Sequence, residues 1–305
     1  MALIPRGTKP KKKESFWKSL IYAALIALVL RSFFVEAFRI PTGSMKNTLL
    51  VGDFLFVNKL VYGISSPKYL PLTNVPIPHF TWHYNDVSRG DVVVFEYPGD
   101  RDLVIPREKN INYIKRCIAI AGDTLEVRGK QVFVNGKPMV NPQEFRYNFP
   151  SLPKGHPEEG VFPIGNPGWN HDWYGPIRIP KKGDVMQLDS KMIDGWKVFI
   201  EREGHKVDCA ADGTITIDGK VTTTYTVERN YLWMMGDNRD DSADSRFWGF
   251  CPVDNVVGNA LFIYWSWYNP PSRNELQNNP MPDGYDPEET QNFHIRWSRL
   301  FRGAN

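Results

Sequence analysis

Ile40–Lys46 reads IPTGSMK and follows the one long apolar run of the chain. Pro41 fixes its own φ and biases Ile40 toward extended geometry, while Gly43 permits angles that a side chain forbids. Such a bend holds Ser44 with an accessible hydroxyl and backbone N–H groups turned toward it, the setting a nucleophile with a nearby base requires. A Gly-Ser pair after a proline is also an ordinary turn. The reading therefore depends on two further stretches: YIKR at Tyr113–Arg116 and GDNRDDSADSR at Gly236–Arg246.

Upstream, residues 1–15 form a basic tail with Arg6, Lys9, Lys11, Lys12 and Lys13 against the single acid Glu14. Leu20–Leu30, LIYAALIALVL, is unbroken apolar sequence. Eleven helical residues rise only about 16 Å, short of the ~30 Å hydrocarbon core. A span must therefore recruit Phe16 and Trp17 at one end and Ser32–Val35 at the other, with Lys18 and Arg31 snorkelling to the interfaces. The expected anchor is 16–37, with its basic flank cytoplasmic and the remainder exported. A cleaved signal peptide, with Val35-Glu36-Ala37 as a loose small-x-small site, and a buried core helix are the rivals.

Downstream, the hydrophobic period changes to two. Asp53–Lys59 and Asp91–Phe95 read as strands, and Thr124–Val127 with Val132–Val134 flanks a Gly129-Lys130 hairpin turn. Asn135-Gly136 turns the chain again, and Thr214–Ile217 with Val221–Val227 around Asp218-Gly219 is a further hairpin. No amphipathic helix of convincing length is predicted beyond residue 40, so the fold class is mainly β. The expected organisation is a catalytic β core over 38–140 and 228–268, interrupted by a Pro/Gly-rich loop and hairpin region at 141–227. A C-terminal extension, 269–305, follows. It ends in HIRWSRLFR, His294–Arg302, read as a short closing helix or strand or a membrane-surface contact.

The chain has 305 residues, 42% of them hydrophobic, enough to bury a core. Its net charge of +3 gives no argument for nucleic acid. Cys117, Cys209 and Cys251 form neither a disulfide framework nor a metal-ligand spacing, though one pair, such as Cys209 with Cys251, is open to oxidation. No metal and no cofactor is expected.

Lys115 lies between apolar neighbours at the end of an alternating stretch. It is either a solvated strand lysine or one facing an apolar cleft, where desolvation lowers its pKa and fits it to act as a base. Gly236–Ser242 is a polar loop whose acids lack EF-hand spacing. Asp244 and Arg246, separated by Ser245, are spaced to pair and fix that loop, with Ser242 placed to hydrogen-bond a neutral lysine.

IPTGSM, YIKR followed by Ala-Gly-Asp, and MMGDNRDDSADSRFWGF resemble, in order and spacing, the three signature boxes of bacterial type I signal peptidases. The resemblance runs from about Phe38 to Ala260. It implies a membrane-anchored serine protease with a Ser–Lys dyad: Ser44 as nucleophile, Lys115 as general base, and Thr42 joining the Ser44 N–H in the oxyanion hole. It further implies Ser242 as the orienter of Lys115, with Asp244 and Arg246 bracing the site. Phe38, Ile40, Met45, Tyr113 and Ile114 match residues that line the pockets for small substrate side chains. The implied partners are signal peptides of exported preproteins, the lipid bilayer and the secretion translocon. The implied location is the outer, periplasmic face of the bacterial cytoplasmic membrane.

Asn47 departs from the proline many members carry, and one span is found where many relatives have two. Lys46 is a second candidate base, since alternate strand residues share a face. A related Ser–Lys processing protease and an inactive membrane-tethered β-rich binding protein are the alternative functions.

Overall fold

The computed structural model describes residues 16–66, 75, 77, 78, 80–107, 111–143, 145–272, 276, 277, 285, 289 and 292–304. The basic tail, 1–15, and much of 273–291 lie outside them.

Among the described residues one helix, Phe16–Phe33, is long and apolar enough to cross a membrane. None of its residues is buried against the rest of the protein. Its 18 residues rise about 27 Å. Unlike the expected segment 16–37, it stops at Phe33, because Val35–Arg39 is already a strand paired antiparallel with Asp53–Asn58. Lys59 Nζ donates to Ser32 O (3.0 Å) and to Glu36 Oε2 (3.3 Å), tying the helix end to the sheet.

The polypeptide beyond the helix is mainly β. Among the described residues its largest sheet has eight strands, seven of them in the order Val35–Arg39, Asp53–Asn58, Val256–Tyr268, Val92–Glu96, Asn112–Ala119, Tyr231–Met235 and Cys251–Pro252. His294–Ile295 adds to the far end of Val256–Tyr268. Asp53–Asn58 keeps the expected alternation, with Leu55 and Val57 buried between half-buried Phe54 and Phe56. Within the central strand Val92–Glu96 the run Val92–Phe95 is apolar because both of its faces are covered: Val92 and Val94 pack with Leu55, Met45 and Leu49, whereas Val93 and Phe95 pack with Cys117, Met234 and Trp248.

The region after residue 140 is more ordered than its Pro/Gly content suggested. Trp173–Arg178 is a strand that pairs with Thr124–Arg128 and completes a four-stranded sheet, with a bulge between Tyr174 and Ile177. Ile193–Arg202 is a helix, contrary to the expectation of none beyond residue 40. It buries Ile193, Phe199 and Ile200 at helical spacing. Gly195 conceals the pattern and is needed there, since a Cβ would meet Ile164 O at 2.5 Å. The expected hairpin around Asp218-Gly219 is shorter than read. Ile215–Ile217 pairs with Lys220–Val221, but Thr224–Thr226 leaves to pair with Val185–Gln187. This region shares a core with the large sheet, Tyr174 and Phe199 packing with Ile118, Trp233 and Phe250.

The C-terminal stretch folds back onto the sheet rather than extending away from it. His294–Ile295 is a short strand and Trp297–Arg299 a 3-10 turn. Arg299 is buried and pairs with fully buried Asp53, Nη2 reaching Oδ2 at 2.6 Å. Trp297 and Phe301 remain exposed. All three cysteines are free; Cys209 is exposed, whereas Cys117 and Cys251 are buried.

Candidate active site

The IPTGSMK bend is a 3-10 turn, Gly43–Met45, entered from an extended Thr42. It packs inward more than the sequence suggested. Met45 is fully buried with Leu49 and Leu55 beneath the turn, and Ser44 itself is only 8% exposed. Asn47 follows with φ of 80°, in the left-handed region that asparagine tolerates and proline cannot enter.

Lys115 lies on the strand Asn112–Ala119 and is 4% exposed. Its Nζ donates to Ser44 Oγ across 2.6 Å and stands 5.3 Å from the centre of the Tyr113 ring. Burial pushes the ammonium pKa down to about 8 from 10.5, against the opposing pull of Asp244, Asp237 and Asp241. Desolvation outweighs three carboxylates because two of them are already engaged by guanidinium groups. Asp237 takes two bonds from Arg116, at 2.9 and 2.7 Å, and a third from Thr48 Oγ1 at 2.6 Å. Asp244 takes Arg246 Nε and Nη2, each at 2.8 Å. Burial alone would raise the Asp244 pKa, but the Arg246 charge and hydrogen bonds hold it below the usual carboxylate range. Asp244 also caps the short helix Ser245–Trp248 through the Arg246 N–H.

The third motif grips the first through its backbone. Asn238 N–H donates to Ser44 O (3.1 Å), and its side-chain amide to Gly43 O (3.1 Å). Gly236 makes this approach possible: a Cβ there would fall 2.3 Å from Ser242 Oγ and 2.4 Å from Ser44 O. Behind the loop, Arg146–Phe149 docks against it. Arg146 N–H donates to Asp237 O (2.9 Å), and Asp240 accepts from the Asn148 and Phe149 N–H groups at 2.6 and 2.8 Å.

A cavity of about 350 Å³ opens over the pair. Thr42, Ser44, Tyr113, Ile114 and Lys115 line it, together with Asp241 and Ala243. Thr42 is exposed, and its hydroxyl makes no cap to the turn. Of the other residues matched to substrate pockets, Phe38 is half-buried at the edge of the core, while Ile40 and Met45 lie within it; none of these three is on the cavity wall. Ser242 is buried, but its Oγ makes no hydrogen bond, so the expected bond to Lys115 is not formed here. Lys46 caps the turn with its N–H on Gly43 O.

Arg116, Asp237 and Asn238 were not assigned roles from the sequence, although each lies within the quoted boxes. Among the described residues one group, His171, Asp172 and Asp240, has donor atoms close enough for a metal ion. Lys130 Nζ already sits against Asp240 and 3.2 Å from Asp172 Oδ1, so an ammonium meets that charge.

The profile of the family described as signal peptidase, peptidase S26, matches residues 13–265. Signal peptidase I of Pseudomonas aeruginosa is 33% identical over 286 residues, covering 90% of this chain and 80% of that protein. Signal peptidase I of Aquifex aeolicus is 31% identical over 264 residues, covering 81% and 82%. That of Helicobacter pylori strain 26695 is 29% identical over 299 residues, covering 95% and 92%. A profile that spans most of the sequence, and a relative sharing a third of its residues along nearly the whole length, establish that the chain belongs to the signal peptidase family, peptidase S26, and is a serine endopeptidase.

Proposed function

We propose that this protein removes N-terminal signal peptides from exported preproteins, cutting after small-x-small motifs, with Ser44 as nucleophile and Lys115 as general base. The observation that carries the reading is the 2.6 Å contact between Lys115 Nζ and Ser44 Oγ at a nearly dry site. With a pKa of about 8, roughly one lysine in ten is neutral at pH 7, against about one in three thousand at the ordinary value. The neutral amine takes the Ser44 proton as Oγ attacks the scissile carbonyl carbon. The new ammonium then hands that proton to the departing amine, leaving an acyl ester on Ser44 that water hydrolyses with Lys115 again as base.

Thr42 Oγ1 and the Ser44 N–H are the donors proposed for the oxyanion. The unpartnered Ser242 Oγ is the group proposed to steady the amine, and Asp244 and Arg246 hold its loop. Tyr113 and Ile114 on the cavity wall, backed by Phe38, Ile40 and Met45, are assigned to the subsites for small side chains. Phe16–Phe33 would anchor the enzyme in the cytoplasmic membrane, with the catalytic part on the periplasmic face by the positive-inside rule. The bilayer and the secretion translocon would then be its neighbours.

Cleavage of a signal-peptide substrate by purified protein tests the reading. Ser44→Ala and Lys115→Ala should lose activity to the same depth, since the pair acts as a unit. Lys115→Arg should not restore it, because a guanidinium keeps its proton. Near-normal turnover by Lys115→Ala alongside a dead Lys46→Ala would overturn the assigned base.

A further inference from the structure

Asp241 stands apart from the other acids of its loop. Asp237 and Asp244 are fully buried and each is held by a guanidinium, whereas Asp241 is exposed and makes no ion pair among the described residues. Among the described residues it is also the only carboxylate lining the cavity, as Lys115 is the only ammonium. Its Oδ2 accepts from Asn238 Nδ2 at 3.3 Å, the same amide that donates to Gly43 O. A Cβ built on Gly43 would lie 3.9 Å from that oxygen. The negative charge therefore sits at the mouth of the cavity, beside the residue that precedes the nucleophile.

We propose that Asp241 is a charge-selecting residue of the substrate cleft, favouring Lys or Arg and rejecting Asp or Glu at the substrate position that passes beside Gly43. The inference rests on the reading that Ser44 and Lys115 cleave a peptide in this cavity. A peptide backbone reacting at Ser44 must pass Gly43, and its side chains there are within a few ångströms of a fixed anion. At that range, inside a cleft with low-dielectric walls, a like charge is repelled and an opposite one attracted. Since Asn238 restrains the carboxylate, little of that interaction is lost to side-chain freedom. Discrimination arises from rejection of the acidic side chain as much as from attraction of the basic one.

The same charge acts on the base. Among the described residues, the ionisable groups around Lys115 Nζ are Tyr113 and Arg116 on its own strand and Asp237, Asp241 and Asp244 on the third-motif loop, with Arg246 paired to the last. The nucleophile turn contributes the Ser44 hydroxyl. Of the three acids, only Asp241 can be neutralised without stripping a buried guanidinium of its partner. A negative Asp241 favours the protonated lysine, so removing its charge should move the acid limb of kcat/KM to lower pH.

The test uses one signal-peptide substrate that keeps its small residues at the first and third positions before the cut and carries Lys, Gln or Glu in turn at the second position before it and at each of the three after it. Its kcat/KM is measured for the wild type, Asp241→Asn and Asp241→Lys. In the wild type, Lys should exceed Glu by about five- to tenfold at one or two adjacent positions, an effect that shrinks with added salt. The ratio should fall to within about twofold in Asp241→Asn and invert in Asp241→Lys. An unchanged ratio in both variants, or no Lys-over-Glu preference in the wild type, overturns the proposal. In either case, cleavage of the Gln peptide by the wild type leaves the Ser44–Lys115 reading standing. Failure of the wild type to cleave the Gln peptide would sink that reading and the proposal with it.

Discussion

Arg116 holds Asp237 through two parallel hydrogen bonds, at 2.9 and 2.7 Å, and this pair ties the strand that carries Lys115 to the loop that packs on Ser44. Both side chains are almost fully buried, and Arg116 Nη1 reaches Gly90 O as well, at 2.6 Å. Removing one partner leaves an uncompensated buried charge. Arg116→Ala and Asp237→Ala should each lower stability by about 3–5 kcal/mol. The double variant should cost well short of the sum, because neither charge is then left alone. Urea denaturation of the four proteins measures this, and simple additivity would show that the pair is not the coupling element.

Lys115 carries an energetic cost that its chemistry requires. Burial lowers its pKa from 10.5 to about 8 in the folded protein. Below pH 8 both the folded and unfolded chains hold the proton, so the whole penalty of burying an ammonium is present. Between pH 8 and 10.5 the unfolded chain binds more protons, and stability rises with pH. Lys115→Met should therefore be inactive yet more stable than the wild type near neutrality, by on the order of 3 kcal/mol. The difference should shrink across pH 8 to 10.5. A stability gap that stays constant over that range would contradict the assignment of burial as the cause.

Gly236 is where the first and third motifs meet, with no room for a methyl group between Ser242 and the Ser44 carbonyl. Its replacement by alanine must push the third-motif loop away from the nucleophile turn. Strain from such overpacking is typically about 1–3 kcal/mol, while a displacement of the dyad by an ångström has a far larger effect on rate. Gly236→Ala should lose kcat/KM by on the order of a hundredfold with a moderate fall in thermal midpoint. Retained activity in this variant would mean that the loop can shift without consequence.

The C-terminal turn is held by Arg299, whose Nη2 also donates to Thr48 O at 2.9 Å. Asp53 accepts in addition from Ser266 Oγ at 2.6 Å and from the Leu50 N–H at 2.7 Å. Arg299→Ala should destabilise the protein by about 3–5 kcal/mol. Arg299→Lys should recover only part of this, since an ammonium cannot reproduce the fork. Chemical denaturation reads both. A neutral Arg299→Ala would show that the last residues are dispensable to the fold.

Much of this protein could be read directly from its residues. The apolar run, the change of period from helical to two, and the turn dipeptides around Gly129, Asn135 and Asp218 determine local structure, because they act over a few neighbouring residues. So do the three boxes, whose residue types and spacing identify the family without any coordinates. Other features depend on contacts between residues far apart in the chain. The helix Ile193–Arg202 gains its place by packing Gly195 against Ile164 O, and Trp173–Arg178 becomes a strand only beside Thr124–Arg128. Likewise, it is the family resemblance, not any local pattern, that prefers Lys115 to Lys46 as the base. Burial is a property of the assembled sheet, and it is the tertiary structure that brings Lys115, 71 positions away, to 2.6 Å from Ser44. That same assembly leaves Asp241 at the cavity mouth while paired Asp237 and Asp244 turn inward, a division among three similar acids that no local pattern records.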